Sequence, residues 1–449
     1  MRERKPKEQE PWKKGYVQGK NETRSAAGDE ADGSHEEGER ESFSFLQETI
    51  KPKPPTRDQV LMQVLKMAVY GLIIGMSACC GFYALKPWAQ RAFQEETQEV
   101  TLPEDEEEVE PEPEPEVEEE PEPVIPELTA DSYREIMQSM YVIAKDADKS
   151  IAYIRPAGGD GLLDEEGARG GITGLIVADN GQKLLIFGDN SVCRDAEQWI
   201  AVFSDGSRHP AVLVKQDGNR GLAVFGVEKA SIGENTWAAI QIAELGNSNI
   251  SARGDVVIAL GGMFGYENGA GYGIISSKDH SANYADGQCG VIATDIAAVP
   301  GGTGVLFNQR GQAVGLVKSG LLGDADAGLS NALAISDMKP AMQLLLNEDS
   351  IPYVGISGTT VTDELAKEQG MPKGLYVTNV QADSPAMKAG IQNGDVLQEV
   401  KGQKVTGTAS YEKAVLECKA GESVKIKGRR LGNTGYVGVD FTVTAGSME

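Results

Sequence analysis

The sequence predicts a mainly all-β protein, and three observations carry that prediction. From about residue 130 onward, short apolar runs alternate with glycine or Asp/Asn turns: "GITGLIVADNGQKLLIFG", "WIAVFSDGSRHPAVLV", "GLAVFGV", "DVVIALGG", "YGIISS", "CGVIATD" and "GVLFNQRGQAVGLV". Strands at this spacing, with that turn chemistry, build a sandwich or a barrel. After "ALAISDMKPAMQLLL", which predicts a helix, a second glycine-rich block starts near Ile351 and runs to the end. At 449 residues the chain is long enough for two or three domains.

Taken in order, residues 1–58 are polar and poor in aromatic residues. Such a segment buries too little apolar surface to offset its ordering entropy, which predicts a disordered tail. Next comes "MAVYGLIIGMSACCGFYAL", Met67 to Leu85, which is 19 uncharged residues between Lys66 and Lys86. As a helix it would be about 28 Å long, close to the ~30 Å of a hydrocarbon core, so residues 64–86 are predicted to span a membrane. Lys51, Lys53, Arg57 and Lys66 lie on its N-terminal side against Lys86 and Arg91 on the other. The positive-inside rule therefore puts the N-terminus in the cytoplasm and the rest outside, as a single-pass cell-membrane protein.

Residues 95–127 hold 17 acidic residues and no basic one, so they account for most of the net charge of -26. Self-repulsion and alternating proline predict an acidic linker over 93–128, a spacer reaching up to about 100 Å in polyproline II geometry. "DSYREIMQSMYVIAKDADKSIAYI" then predicts a helical opening to the globular part. A strongly acidic chain without a basic stripe argues against nucleic-acid binding. Five scattered cysteines with no CxxC pair or Cys/His cluster argue against a zinc site or a disulfide framework, and no cofactor or metal is expected.

The stretch "AVPGGTGVLFNQRGQAVGL", Ala298 to Leu316, has the layout of a protease nucleophile loop: a glycine-rich turn, an apolar strand, a tight "QRG" turn and a second strand. With "SDGSRHPAVLV", "LAVFGV", "LGNSNISARGDVVIALGGMFGY", "GIISS", "ATDIAAVPGGTGVLFNQRGQAVGL" and "LAISDM" also present, residues from about 165 to 346 resemble the chymotrypsin-type domain of the Do-like (HtrA) serine proteases. "YVGIS", "GLYVTNVQADSPAMKAGIQNGDVLQEVKGQKV" and "VKIKGRRLG" resemble the PDZ domain that follows it in that family. The resemblance covers about two-thirds of the chain. It implies a double β-barrel over 130–346 and an α+β PDZ domain over 351–446.

Serine-protease chemistry needs a hydroxyl nucleophile, an imidazole to take its proton and a carboxylate to orient the imidazole. The resemblance places Ser191 of "NSVC" at the histidine position, Gly221 of "GNRGLAV" at the aspartate position and Thr303 at the nucleophile position. No catalytic residue is intact. His209, read as outward on a strand, and His280, read as part of a polar loop, are not placed to reach Thr303. A Ser191–Thr303 dyad would contain no base. Cys193 is read as filling a core site, with Cys289 weighed beside it as a substitute nucleophile, and Asp295 is given a structural role. The N–H groups at Gly301 to Thr303 are left as a partial oxyanion pocket.

The PDZ-like block keeps its parts. By resemblance, Tyr353, Val354, Gly355, Ile356 and Ser357 form the loop whose backbone N–H groups take a peptide's C-terminal carboxylate, and a helix near Tyr411 to Leu416 lines the side-chain pocket. The expected function is a membrane-anchored, extracytoplasmic pseudoprotease that binds peptide or unfolded-protein C-termini, or partner proteins, for quality control, sensing or scaffolding. The alternative is an active HtrA-type serine endopeptidase with a non-standard triad. A third reading gives the working role to the acidic stalk. The resemblance also implies a homotrimer through residues 130–165, or pairing with an active protease.

Overall fold

The computed structural model describes residues 62, 66–72, 76, 98–105, 129–157, 170–194, 196–323 and 328–449. The chain divides into two units, Met1–Ala89 and Gln90–Glu449. In the first, Met62, residues 66–72 and Met76 are helical. Among the described residues no helix is long and apolar enough to cross a membrane. Most of the predicted span 64–86, and the whole tail 1–58, lie outside the described residues.

The second unit begins with a correction to the acidic linker. Residues 98–105 are not a free spacer: Leu102 is buried, Gln98 N–H donates to the Asn180 carbonyl at 3.0 Å, and Lys339 pairs with Asp105 at 2.5 Å. Val100 and the Asn347 side chain exchange two hydrogen bonds of 2.9 and 3.0 Å. Leu102 and Val100 supply apolar anchors that the charge count of the segment hides. Residues 106–128 lie outside the described residues.

Helix α1, Ala130–Ala147, is capped by Thr129, whose hydroxyl accepts from Ser132 N–H. It stops earlier than the sequence predicts. Ile151 to Ile154 pair with two strands instead, because their alternate faces are both buried.

Six strands close the first barrel in the order β1-β2-β3-β6-β5-β4: β1 Ile151–Pro156, β2 Ile172–Asp179, β3 Lys183–Asp189, β4 Trp199–Phe203, β5 Arg208–Asp217 and β6 Leu222–Glu228. A short helix α2, Glu234–Ala239, follows. The second barrel closes as β10-β11-β12-β9-β8-β7, from β7 Val256–Gly261, β8 Gly269–Tyr284, β9 Gly287–Ala297, β10 Gly304–Asn308, β11 Ala313–Val317 and β12 Leu329–Ala334. Side chains alternate across a strand, and here both faces find a core. Ile176, Ile186 and Phe225 point into the first barrel. Leu175, Leu185, Phe187 and Val224 join Ile258, Val305, Leu306 and Phe307 in a second core that the two barrels share. Continuous apolar runs such as "LLIFG" follow from this double burial.

Helix α3, Ile335–Leu346, buries Met338, Ala341, Met342 and Leu345 in the shared core. The last sheet runs β13-β14-β15-β17-β18, with β13 Ile356–Thr360, β14 Leu375–Val380, β15 Val396–Val400, β17 Ser423–Gly432 and β18 Gly435–Thr444, and β16 Gln403–Lys404 beside β15. Helices α4 Asp363–Gln369, α5 Pro385–Lys388 and α6 Thr408–Leu416 complete it. Tyr411, Ala414 and Val415 of α6 pack on Val354, Ile356 and Val377. The long β8–β9 hairpin turns at Ala285 and Asp286, the latter in the left-handed region at φ 64°.

Candidate functional site

Of the three positions that the resemblance assigns to a serine-protease triad, Ser191 follows β3 and Gly221 precedes β6 in the first barrel, and Thr303 precedes β10 in the second. Ser191 opens a single 3-10 turn after β3 and is exposed; its N–H donates to Asp189 Oδ1 at 2.7 Å. Asp189 is buried, and its Oδ2 pairs with Lys318 Nζ at 2.6 Å. Lys318, just past β11 of the other barrel, also donates to the Gly221 carbonyl at 3.2 Å. Gly221 itself has φ 70°, and a Cβ there would collide with Lys318 Nζ. The volume in which a triad carboxylate would stand is thus filled by an ammonium. Glycine at 221 satisfies both the backbone and the crowding.

Thr303 is buried, and its hydroxyl is engaged by β2. Its Oγ1 accepts from Thr173 N–H at 2.8 Å, while Thr173 Oγ1 donates back to the Thr303 carbonyl at 3.0 Å. These two bonds stitch β2 to the loop before β10, one barrel to the other. Two of the three backbone amides expected to form an oxyanion pocket are engaged: Gly301 N–H donates to Ser319 Oγ, just past β11, at 3.0 Å and Gly302 N–H to the Val299 carbonyl at 3.0 Å. Among the described residues no hydrogen bond joins Ser191 to Thr303. This arrangement ties one barrel to the other.

The other candidates resolve as follows. His209 is buried, not outward: it lies on β5 with its ring centroid 5.4 Å from that of Phe203 and its Nε2 3.3 Å from Ser207 Oγ. His280 stands in β8 opposite Val291 and not in a loop. Burial, with Asp189 nearby, pushes the Cys193 thiol up to about 11. Burial likewise raises the Cys289 thiol. Asp295 Oδ1 accepts from Ile274 N–H at 2.7 Å, the structural role expected of it. No group of metal-ligating side chains occurs among the described residues.

The carboxylate loop of the C-terminal block holds a carboxylate. Val354 and Gly355 N–H both donate to Asp286 Oδ2 at 2.7 Å, and Ile356 N–H donates to Oδ1 at 3.0 Å. The Tyr411 hydroxyl of α6 donates to the same Oδ1 at 2.8 Å. Asp286 N–H in turn donates to the Ile356 carbonyl at 2.6 Å. The loop geometry that aims three amides at one point needs Gly355, at φ 93°, where a side chain would strike Ser384. Tyr353 and Ser357 flank the seat through backbone pairing, Tyr353 with Gly446 and Ser357 with Asn379. Burial raises the Asp286 carboxyl above the usual carboxylate range, while the four donors work against that rise.

Around the hairpin tip sits a second layer of contacts. Glu412 of α6 accepts from Arg220 at 3.3 Å, from the Tyr284 hydroxyl at 3.1 Å and from Gln288 N–H at 3.1 Å. Asn219 Nδ2 donates to the Ala285 carbonyl at 2.8 Å. A cavity of about 230 Å³, lined among others by Arg220, Tyr284, Cys289 and Lys318, lies between this tip and the altered triad positions. Sequence reasoning found the loop but not its occupant. The only sequence signal is Asp-Gly at 286–287, which marks a hairpin turn and says nothing of where the tip docks.

Comparison with known proteins agrees with this architecture. Residues 172–316 match the trypsin-like peptidase domain family and residues 352–440 the PDZ domain family. The chain is similar to a probable periplasmic serine endoprotease DegP-like of Pseudomonas putida (strain GB-1), 31% identical over 265 residues, which are 57% of this chain and 52% of that protein. It is also similar to the serine protease Do-like HtrA of Bacillus subtilis (strain 168), 28% identical over 287 residues, 60% of this chain and 62% of the other. The chain spans about half the length of the curated relatives it matches. Among solved structures, the HtrA-type protease AlgW with tripeptide covers 68% of this chain and 96% of its own at 22% identity and TM-score 0.50. A point variant of AlgW with tripeptide gives 23% identity and TM-score 0.51, covering 69% and 97%. The structural likeness carries the fold. Residues 172–316 are therefore a trypsin-like peptidase domain and residues 352–440 a PDZ domain, in the order found in the HtrA/Do-like serine proteases that this chain is similar to.

Proposed function

We propose that this chain is a non-catalytic HtrA-like protein, anchored by the apolar segment 64–86 with its globular part outside the membrane, whose PDZ domain recognises carboxylate-terminated peptides or partner proteins. The observation that carries the reading is the Thr303 hydroxyl: it accepts Thr173 N–H at 2.8 Å and is buried between the barrels, where a nucleophile would face the cleft. Two further features support it. The side chain that reaches the Gly221 carbonyl is the Lys318 ammonium, paired to Asp189, and as an ammonium it has no lone pair with which to take a proton. Gly301 N–H is taken by the Ser319 hydroxyl and Gly302 N–H by the Val299 carbonyl. The relatives named periplasmic support an extracytoplasmic place. Exposed Tyr133, Ile136, Tyr141 and Val142 on α1 support self-association, or pairing with an active protease, through residues 130–165.

A second reading, an active endopeptidase with a non-standard triad, is favoured by the relatives named serine endoproteases. The full chain is tested on unfolded casein and on a fluorophosphonate probe, beside Thr303→Ala and Ser191→His. No turnover and no labelling in any of the three is the expected result. Turnover in the unaltered chain that disappears in Thr303→Ala would establish the protease reading instead.

A further inference from the structure

A peptide that binds a PDZ loop does two things: its terminal carboxylate takes the backbone N–H groups of the loop, and its backbone pairs with the adjoining strand. Asp286 does both from within the chain. Its carboxylate takes all three amides from Val354 to Ile356, and its own N–H donates to the Ile356 carbonyl. The side chain is fully engaged there, with Tyr411 closing the fourth contact. We propose that the β8–β9 hairpin tip is an internal ligand of the PDZ domain, so that a peptide carboxylate enters only when Asp286 leaves. The inference rests on the peptide-binding reading above and adds its regulation.

Two features fit a seat that exchanges its occupant, and a third holds the occupant in place. The donors to Asp286 are neutral groups, and an external carboxylate would meet the same four. The occupant stands on a two-residue turn at the end of a long hairpin, so its withdrawal needs no barrel strand to unpair. The tip is further clasped by Glu412 through Gln288 N–H and the Tyr284 hydroxyl. A tethered ligand competes at an effective concentration of about a millimolar or more. If the docked state outweighs the open one by ~10:1, apparent peptide affinity falls roughly tenfold.

The test measures fluorescence anisotropy of the full chain with a pool of labelled decapeptides ending in Val, Ile, Leu or Phe with free C-terminal carboxylates, against the same pool amidated. Asp286→Gly removes the internal carboxylate and keeps a residue that tolerates the left-handed turn. Asp286→Asn keeps the side-chain volume, also tolerates that turn, and guards against a fold defect in the first variant. The expected result is weak binding by the unaltered chain, roughly tenfold tighter binding by Asp286→Gly, a smaller gain in Asp286→Asn, and no binding of amidated peptides. Amide exchange at Val354, Gly355 and Ile356 accelerates in Asp286→Gly without peptide. Equal, tight binding by the unaltered chain and both variants overturns the proposal while leaving the peptide-binding reading standing. No binding by any of the three, with exchange still accelerated in Asp286→Gly, overturns both.

Discussion

Asp189 and Asp286 are both buried carboxylates at barrel edges, and they are held in opposite ways. Asp189 has a full counter-charge: Lys318 reaches over from the second barrel to 2.6 Å. Asp286 has only dipoles, three backbone amides and a tyrosine hydroxyl. The difference separates a permanent joint from an exchangeable one. A cation that leaves a buried carboxylate strands a charge on each side, which costs several kcal/mol. A carboxylate that leaves an amide seat can be replaced by another carboxylate at little net cost. The Asp189–Lys318 pair is the joint, and the PDZ loop holds a seat with a resident in it. The two lie close along the chain, since Arg220, which pairs with Glu412 of α6, immediately precedes Gly221, whose carbonyl accepts from Lys318.

The sharpest way to break this comparison is Lys318→Met. Asp189 keeps only 6% of its side chain exposed and would be left uncompensated. Breaking a buried pair costs about 3–5 kcal/mol, and Lys318 is partly solvated, so a loss of about 3 kcal/mol is expected from the urea midpoint of the barrels. Adding Asp189→Asn in the same chain recovers at least half of it. A single-variant loss under about 0.5 kcal/mol would make the pair an ordinary screened surface contact, and the contrast with Asp286 would collapse. Thr303→Val comes next. It leaves Thr173 N–H buried without an acceptor, for about 2 kcal/mol, whereas Thr303→Ser retains the oxygen and most of the stability. A variant that melts as the unaltered chain does would mean that the inter-barrel tether is worth nothing.

Much of the fold was legible because its strands are punctuated by turns that read locally, such as "SDG" at 204–206 and "QRG" at 309–311. The places of Ser191, Gly221 and Thr303 in the fold were legible too, since each is a single residue within a phrase that ends or begins a strand. Lys318, Asp189 and Asp286 were not. Each matters through a partner far along the chain: Lys318 to Asp189 across two barrels, Asp286 to Val354 across the domain boundary. No local pattern encodes such a meeting. Residues 98–105 failed for a related reason, as charge density predicts a solvated strand of chain while one buried leucine and an asparagine on another element pin it down. His209 was read as outward from its place after a polar turn, yet its ring packs against Phe203.

Tyr411→Phe sharpens the other half of the comparison. It removes one of the four donors to Asp286, with an expected loss of about 1 kcal/mol in the local opening of the hairpin tip, read as faster amide exchange at Val354 to Ile356. The same exchange rates in both chains would mean that the three backbone amides alone hold the seat.

The smallest expected effect concerns Cys193, two residues past Ser191 and, among the described residues, the one cysteine that is half-buried where Cys289 and Cys418 are buried. With its thiol pushed up to about 11 by burial and by the charge of Asp189, roughly one molecule in a thousand carries a thiolate at pH 8. Iodoacetamide should therefore label Cys193 slowly at pH 8, as followed by peptide mass mapping, and the rate should climb about tenfold per pH unit toward pH 11. Because the charged form is the one that burial disfavours, the reactive thiolate is gained as pH rises and lost as it falls. Labelling that already plateaus near pH 8 would reveal an activated thiolate beside the cleft. The joint built by Asp189 and Lys318 would then have a nucleophile next to it, and a cysteine-based chemistry would have to be weighed against a purely structural site.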